Sequence, residues 1–165
     1  RAKAADVAVR LGLADAPPFV VGADTIVASD GEILGKPADR RDAERMIRML
    51  LGREHRVLTG VCVLGGMREA DAFVETTYVR FKNAGAADVS ACLDAGDWSD
   101  KAGAYAIQGA AAALVAGIRG EFWNVVGFPA LAFLARAGRL GIPGLDERRA
   151  REALSSMEPS WVCRS

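Results

Sequence analysis

Two long β-type runs in the middle of the chain constrain its fold more than any other feature. Residues 55–64 and 70–81 both have the composition of strands, and Gly65-Gly66 lies between them as a natural hairpin turn. An earlier run, residues 19–28, is also typical of a strand, and the turn signal Ser29-Asp30-Gly31 follows it. Strands joined by hairpins argue against a strictly alternating parallel sheet.

Helical patterns lie between and after these strands. The strongest covers residues 39–51, where apolar residues recur at helical spacing, Asp39 can cap the start and Gly52 can end the helix. Residues 111–118 fit either a buried strand or a buried helical turn. Further helices are predicted over residues 1–13, 86–95, 128–140 (opened by Pro129) and 146–157. Together the patterns predict a single-domain α/β fold with a mixed β-sheet flanked by helices.

The balance of charge excludes several classes of partner. Basic and acidic residues number 21 each, so the formal net charge is zero. A chain without a long-range field is not expected to bind nucleic acid stably or to associate with an anionic membrane. Any anionic ligand must therefore be bound by a local cluster of donors. Only four of the basic residues are lysines, which makes each of them of interest: Lys3, Lys36, Lys82 and Lys101.

The cysteines and the apolar stretches indicate where the protein works. Cys62, Cys92 and Cys163 are odd in number and far apart, a pattern that fits neither a disulfide framework nor a zinc site. The longest apolar stretches are too short or too interrupted to span a bilayer, and no signal peptide is recognisable. We therefore expect a cytoplasmic protein.

The first candidate site residue is Asp24, in the middle of the apolar run 20–27. A carboxylate in such a run is costly to bury unless it is paired or binds a metal. Gly22 and Ala23 beside it leave space for a ligand to approach the backbone. Asp24 is therefore either a metal ligand or general base, or a cap on a turn where the strand ends.

Two further segments carry candidate ligand-binding groups. Lys36 is held between Gly35 and Pro37, which suits a fixed ammonium directed at phosphate oxygens, although a surface lysine in a turn is the alternative. Residues 100–109 combine small residues with Lys101 and Gln108, as expected of a loop that wraps a ligand. Gln108 offers both a donor and an acceptor to a nucleobase edge, and the alternative is a glycine-rich linker.

His55 is the only histidine, and its place beside basic residues indicates a structural role. It also leaves no second histidine for a histidine-based triad. Neither a Walker A loop nor a dinucleotide-binding fingerprint occurs in the chain.

Taken together, these segments resemble the Maf family of nucleotide pyrophosphatases. The resemblance covers about residues 3–143 in the family's order and spacing. It implies a Maf-like domain over residues 1–143, followed by a helix-prone tail over residues 144–165. The matching segments are 22–27 (GADTIV), 31–37 (GEILGKP), 49–57 (MLLGREHRV), 59–61 (TGV), 100–109 (DKAGAYAIQG) and 124–129 (NVVGFP).

The resemblance implies a fold, an activity and roles for single residues. The fold is like that of inosine triphosphatases, a twisted mixed sheet with a central cleft, usually in a homodimer. The reaction cuts a nucleoside triphosphate to monophosphate and pyrophosphate with Mg²⁺ or Mn²⁺. Asp24 matches the proton acceptor close to the metal, and Lys36 a phosphate-binding lysine. Thr25 and Gln108 match positions of base choice, and Lys101 lies in the same ligand loop.

The resemblance also indicates a branch of the family and an incomplete match. Thr25 and Gln108 place the chain nearer the members that prefer dTTP and UTP than those that prefer 7-methyl-GTP. The family opens with a Ser-x-Ser-Pro-Arg-Arg loop, which these residues do not contain, so we expect the phosphate grip to be incomplete. Two alternatives stay open: hydrolysis of 7-methyl-GTP, and a nucleotide-binding regulator of septum formation without turnover.

Overall fold

The computed structural model describes residues 2–10, 19–65, 68–142, 145–160 and 162. Five strands form one sheet in the order β2-β1-β3-β4-β5. The strands are β1 (Phe19–Ser29), β2 (Glu32–Leu34), β3 (Glu54–Gly65), β4 (Arg68–Phe81) and β5 (Val115–Arg119). The helices are α1 (Ala2–Arg10), α2 (Arg40–Leu50), α3 (Ala86–Ala95), α4 (Phe122–Val126), α5 (Ala130–Leu140) and α6 (Glu147–Met157).

Every strand pair in the described part of the sheet is antiparallel. The α/β class and the single domain are confirmed, but the prediction of a mixed sheet is not met by these strands. The reason is β2, a three-residue strand that the sequence pattern did not reveal. It turns the chain back through Asp30-Gly31 before α2, so that β3 enters antiparallel to β1 on its other side. The predicted Gly65-Gly66 turn lies partly outside the described residues.

Helix α2 forms where the pattern predicted it and for the predicted reasons. The side chain of Asp39 accepts a hydrogen bond from the backbone N–H of Asp42 at 2.8 Å, which satisfies one free donor of the first turn. Its apolar face is fully buried against the sheet: Ala43, Met46, Ile47 and Leu50. Gly52 follows with a φ of +68°, a conformation that favours glycine.

The ambiguous segment 111–118 contains both of the structures considered for it. A 3₁₀ turn, Ala110–Leu114, leads directly into β5. Helix α5 begins one residue after Pro129, which serves as its N-cap, and the carboxylate of Glu121 accepts from the N–H groups of Leu131 and Ala132. Helix α6 corresponds to the predicted tail helix and is capped by Asp146.

The core lies on one face of the sheet, beneath α2, α3 and α4. Val57, Val79 and Phe81 present buried side chains there from neighbouring strands. The middle of β1 is left partly open. The loop after β2 and the segment between α3 and β5 lie beside it. Within the described ranges, no helix has the length and apolar character needed to cross a membrane.

Candidate active site

A cavity of about 470 Å³ opens along the middle of β1. Four segments of the chain and the first helix form its walls. Residues 23–25 of β1 line one side, and the loop after β2 contributes Lys36. The remaining walls come from residues 100–102 and Tyr105, from residues 125–127 at the end of α4, and from Lys3 of α1. We refer to this cavity as the β1 cleft.

Four of the five predicted site residues meet in the β1 cleft. Asp24, Thr25, Lys36 and Lys101 all line it, although the last is far from the first in sequence. Gln108 does not line it, and its side chain is exposed on the outer part of the loop. The structure therefore brings together the predicted acid and phosphate-binding groups, and places Gln108 outside them.

Asp24 lies within a strand and not at its end, so it does not cap a turn. Strand β1 continues to Ser29, and Asp24 is paired with Gly60 of β3. Because Gly60 has no side chain, the space beside the carboxylate stays open. The side chain of Asp24 is 71% exposed and forms an ion pair with Lys3. Desolvation, the main cost of a carboxylate in an apolar run, is thus avoided.

The cleft contains three of the four lysines of the chain. Lys3 faces Asp24, and Lys101 forms an ion pair with Asp100. The Lys101 ammonium, with a smaller contribution from Lys36, lowers the pKa of the Asp100 carboxyl below its usual value. The two loops are joined by a 3.0 Å hydrogen bond from the N–H of Gly103 to the carbonyl of Gly35. Three ammonium groups and two carboxylates therefore share one cleft.

The donor set suits a metal that arrives with a polyphosphate. Asp24 and Asp100 are the two carboxylates that line the cleft. Among the described residues, no group of three or more His, Cys, Asp or Glu side chains is placed to hold a metal ion by itself. Mg²⁺ is usually bound by one or two carboxylates together with substrate phosphates and water. Asp24 and Asp100 fit that arrangement.

A network of buried polar groups supports the wall of the cleft beside Thr25. The Oγ1 atoms of Thr25 and Thr59 are 2.8 Å apart. Asn124, fully buried, donates from Nδ2 to the carbonyl of Val57 and to Oγ1 of Thr77, both at 3.1 Å. These bonds tie α4 to β3 and β4. They thereby fix residues 125–127 next to Thr25.

Several residues of the cleft and its supporting network were not predicted from the sequence to belong to the site. Lys3 was counted as one of four lysines but was not assigned to the site, because no local pattern shows that α1 packs beside β1. Asp100 was part of the ligand loop without a role of its own. Thr59 and Asn124 are polar residues in apolar runs, and this is a usable signal for a buried hydrogen-bond network.

His55 and Tyr105 lie directly behind the cleft. His55 is 1% exposed, and burial lowers the pKa of its imidazole to about 4. Its Nε2 is 2.8 Å from the hydroxyl of Tyr105, whose own pKa is raised by burial. His55 does not line the cleft, as expected for a structural role, but Tyr105 does.

Comparison with known proteins places this arrangement in a family. Residues 1–138 match the family model described as Maf-like protein. A dTTP/UTP pyrophosphatase of Symbiobacterium thermophilum is 49% identical over 76% of this chain and 64% of its own length. Proteins of the same name from Thermococcus gammatolerans and Koribacter versatilis are 46% and 45% identical, over 78% and 75% of this chain. The chain thus spans a little under two thirds of these relatives, 64–66% of their length.

Proposed function

The chain belongs to the Maf family, and from this premise we propose that it hydrolyses dTTP and UTP to the monophosphate and pyrophosphate. The observation that carries the proposal is the β1 cleft, where Lys3, Lys36 and Lys101 meet Asp24 and Asp100. A chain of zero net charge concentrates three of its four lysines there. The names of the relatives supply the substrates.

The lysines suit the binding of a triphosphate. Ammonium groups offer three donors each and are point charges that follow phosphate oxygens. Lys3 and Lys101 are already paired with carboxylates of the protein. A triphosphate that enters the cleft offers each of them a more highly charged partner. The carboxylates of Asp24 and Asp100 are then available to bind a metal ion or to accept a proton.

We propose that Asp24 accepts the proton of the attacking water. The water oxygen forms a bond to the α-phosphorus, the bond from that phosphorus to the bridging oxygen breaks, and pyrophosphate leaves with the electron pair. Asp24 is exposed in the cleft beside the open space at Gly60, so a water molecule has access to its oxygens. A divalent cation, Mg²⁺ or Mn²⁺, held by Asp24 and Asp100, would withdraw charge from the phosphate oxygens. Lys36 would hold the phosphates from the opposite loop.

The wall formed by residues 125–127 is the proposed contact for the base. Val125 and Val126 supply apolar surface, and Thr25 supplies a hydroxyl whose position is set by Thr59. The Thr25 hydroxyl is also 3.4 Å from the carbonyl of Gly127. A small polar position in an apolar wall favours the compact ring of a pyrimidine. Gln108 lies outside the cleft, so we assign base choice first to Thr25.

We further propose a cytoplasmic homodimer. The odd number and wide spacing of the cysteines support the compartment, and the resemblance to the family supports the dimer. Sedimentation at several protein concentrations tests the dimer, and a single monomeric species at all of them would contradict it.

The proposal is tested by measuring pyrophosphate release from dTTP, UTP, CTP and 7-methyl-GTP with Mg²⁺ or Mn²⁺. The chain spans less than two thirds of the length of its relatives. It is therefore compared with a version that is preceded by the family's Ser-x-Ser-Pro-Arg-Arg segment. We expect turnover of dTTP and UTP above CTP and 7-methyl-GTP, lost in Asp24→Asn. Nucleotide binding without turnover in both forms would favour the regulator, and selectivity for 7-methyl-GTP would move the chain to the other branch.

A further inference from the structure

Three aromatic rings form a buried cluster behind the β1 cleft. His55 of β3 meets Phe81 of β4 edge to face, with ring centroids 5.0 Å apart. Tyr105 meets both of them, at 5.0 Å from Phe81 and 5.5 Å from His55. The 2.8 Å hydrogen bond between His55 Nε2 and the Tyr105 hydroxyl is the polar contact within the cluster. Strands β3 and β4 thus hold Tyr105, which belongs to the loop formed by residues 100–109.

The loop that Tyr105 belongs to has an unusual backbone just before it. Gly103 has a φ of +72°, and Ala104 has a φ of +59°. An alanine in this region is strained, and such a conformation persists only where the surroundings determine it. Ala104 is completely buried, and a Cβ at Gly103 would come within 3.0 Å of the side chain of Val27. The chain therefore has little freedom between Lys101 and Tyr105.

Lys101 and Asp100 depend on this conformation for their place in the cleft. The N–H of Ala104 donates to the carbonyl of Lys101 at 3.1 Å, so the strained residue and the lysine belong to one short turn. The N–H of Gly103 donates to Gly35, next to Lys36. Tyr105 follows this turn directly. A contact that fixes Tyr105 therefore helps to fix Lys101 relative to Lys36.

We propose that His55 and Tyr105 are a positioning pair that holds the strained turn 101–104, and with it Lys101, in its place in the β1 cleft. His55 reaches no ligand itself and acts through Tyr105. Burial keeps its imidazole neutral at physiological pH, so the ring is a hydrogen-bond partner and not a charge. The inference rests on the proposed phosphate-binding role of the cleft and assigns a task to the one histidine of the chain.

The test compares three variants of the pair with one control. Tyr105→Phe removes only the hydroxyl, and His55→Leu removes the partner of that hydroxyl. His55→Gln keeps a side-chain amide that can bond to Tyr105 and serves as the conservative rescue. Leu134→Ala, in the core of α5, lowers stability without touching the loop. For each protein, NMR follows hydrogen exchange at the amides of Gly103 and Ala104, and steady-state kinetics with dTTP and Mg²⁺ give kcat and KM.

We expect Tyr105→Phe and His55→Leu to speed exchange at both amides about tenfold or more, through local opening of the turn. Their kcat should fall on the order of tenfold with a smaller change in KM, because Lys101 is displaced from its working position. His55→Gln should stay near the wild type in exchange and in kcat. Leu134→Ala should lose stability with wild-type kcat and wild-type exchange in the turn.

Unchanged exchange at Gly103 and Ala104 in Tyr105→Phe overturns the inference. Faster exchange with an unchanged kcat overturns it as well, since the cleft then needs no such positioning. An absence of turnover both in the chain and in the version preceded by the Ser-x-Ser-Pro-Arg-Arg segment has a different meaning. It refutes the proposed function, while the exchange comparison still decides whether the pair holds the turn.

Discussion

The buried imidazole of His55 makes the stability of the protein depend on pH in a defined window. In the unfolded chain its pKa takes the ordinary value of 6.5, whereas burial lowers it to about 4 in the folded protein. Between these two values the unfolded state binds a proton that the folded state does not. The contribution of His55 to stability is therefore complete above pH 6.5 and is lost as the pH falls to about 4.

The size of the loss follows from the shift. One pKa unit corresponds to about 1.4 kcal/mol, so a drop from 6.5 to about 4 is worth about 3 kcal/mol in the free energy of unfolding. This is a large fraction of the roughly 5–15 kcal/mol that stabilise a typical domain. We expect the slope to be steepest between pH 6 and pH 4.5, taken from these two pKa values.

Urea unfolding at pH 7.5, 6.5, 5.5 and 4.5 measures the effect. The control is His55→Gln, which has no group to titrate there, and carboxylates contribute equally to both proteins. Because the chain has one histidine, its imidazole signals in NMR report the folded pKa directly. An imidazole that titrates near its ordinary value, with equal pH slopes for both proteins, would refute the assignment of a buried neutral ring.

Three further predictions test the cleft and its supports. Asp24→Asn should lower turnover of dTTP by about 10²-fold or more while calorimetry still detects nucleotide binding, and an equal loss of both would contradict a proton-accepting role. Asn124→Ala should lower the free energy of unfolding by about 1–3 kcal/mol, measured by urea unfolding, because buried groups of α4, β3 and β4 lose a partner. Gly103→Ala should lower the thermal midpoint and kcat, since a Cβ there meets Val27, whereas the control Gly35→Ala, with no atom within 4 Å, should keep its stability. Equal stability losses in the two glycine variants would show that the turn is not strained.

The elements with strong local signals were predicted well. Along the sequence, helix α2 has a capping residue, then a regular apolar face, then a glycine that ends it. Its bounds therefore follow from the sequence almost to the residue. The long strands β1, β3 and β4 are equally clear. Strand β2 was missed because three residues carry no period. The mixed sheet was expected because helices alternate with strands and hairpins, whereas the described strands pair only antiparallel.

The cleft was predicted where neighbouring residues carry its chemistry and missed where it depends on packing. Asp24, Thr25, Lys36 and Lys101 stand in recognisable segments, and all four line the cavity. Lys3 reaches the cleft only because α1 packs beside β1. This tertiary contact leaves no pattern in the local sequence. Gln108 belongs to the right loop, but its side chain is exposed and does not line the cleft.

The antiparallel sheet has a consequence for how the cleft comes into being. Its walls are contributed by segments spread from Lys3 to Gly127, so hardly any of its contacts are local in sequence. Folds dominated by such distant pairings form slowly, because each loop must be closed before its contacts can stabilise it. We therefore expect partially folded stretches of the chain to lack the cleft. The proposed nucleotide affinity should therefore measure the correctly folded fraction, and we expect it to be the last property to return on refolding.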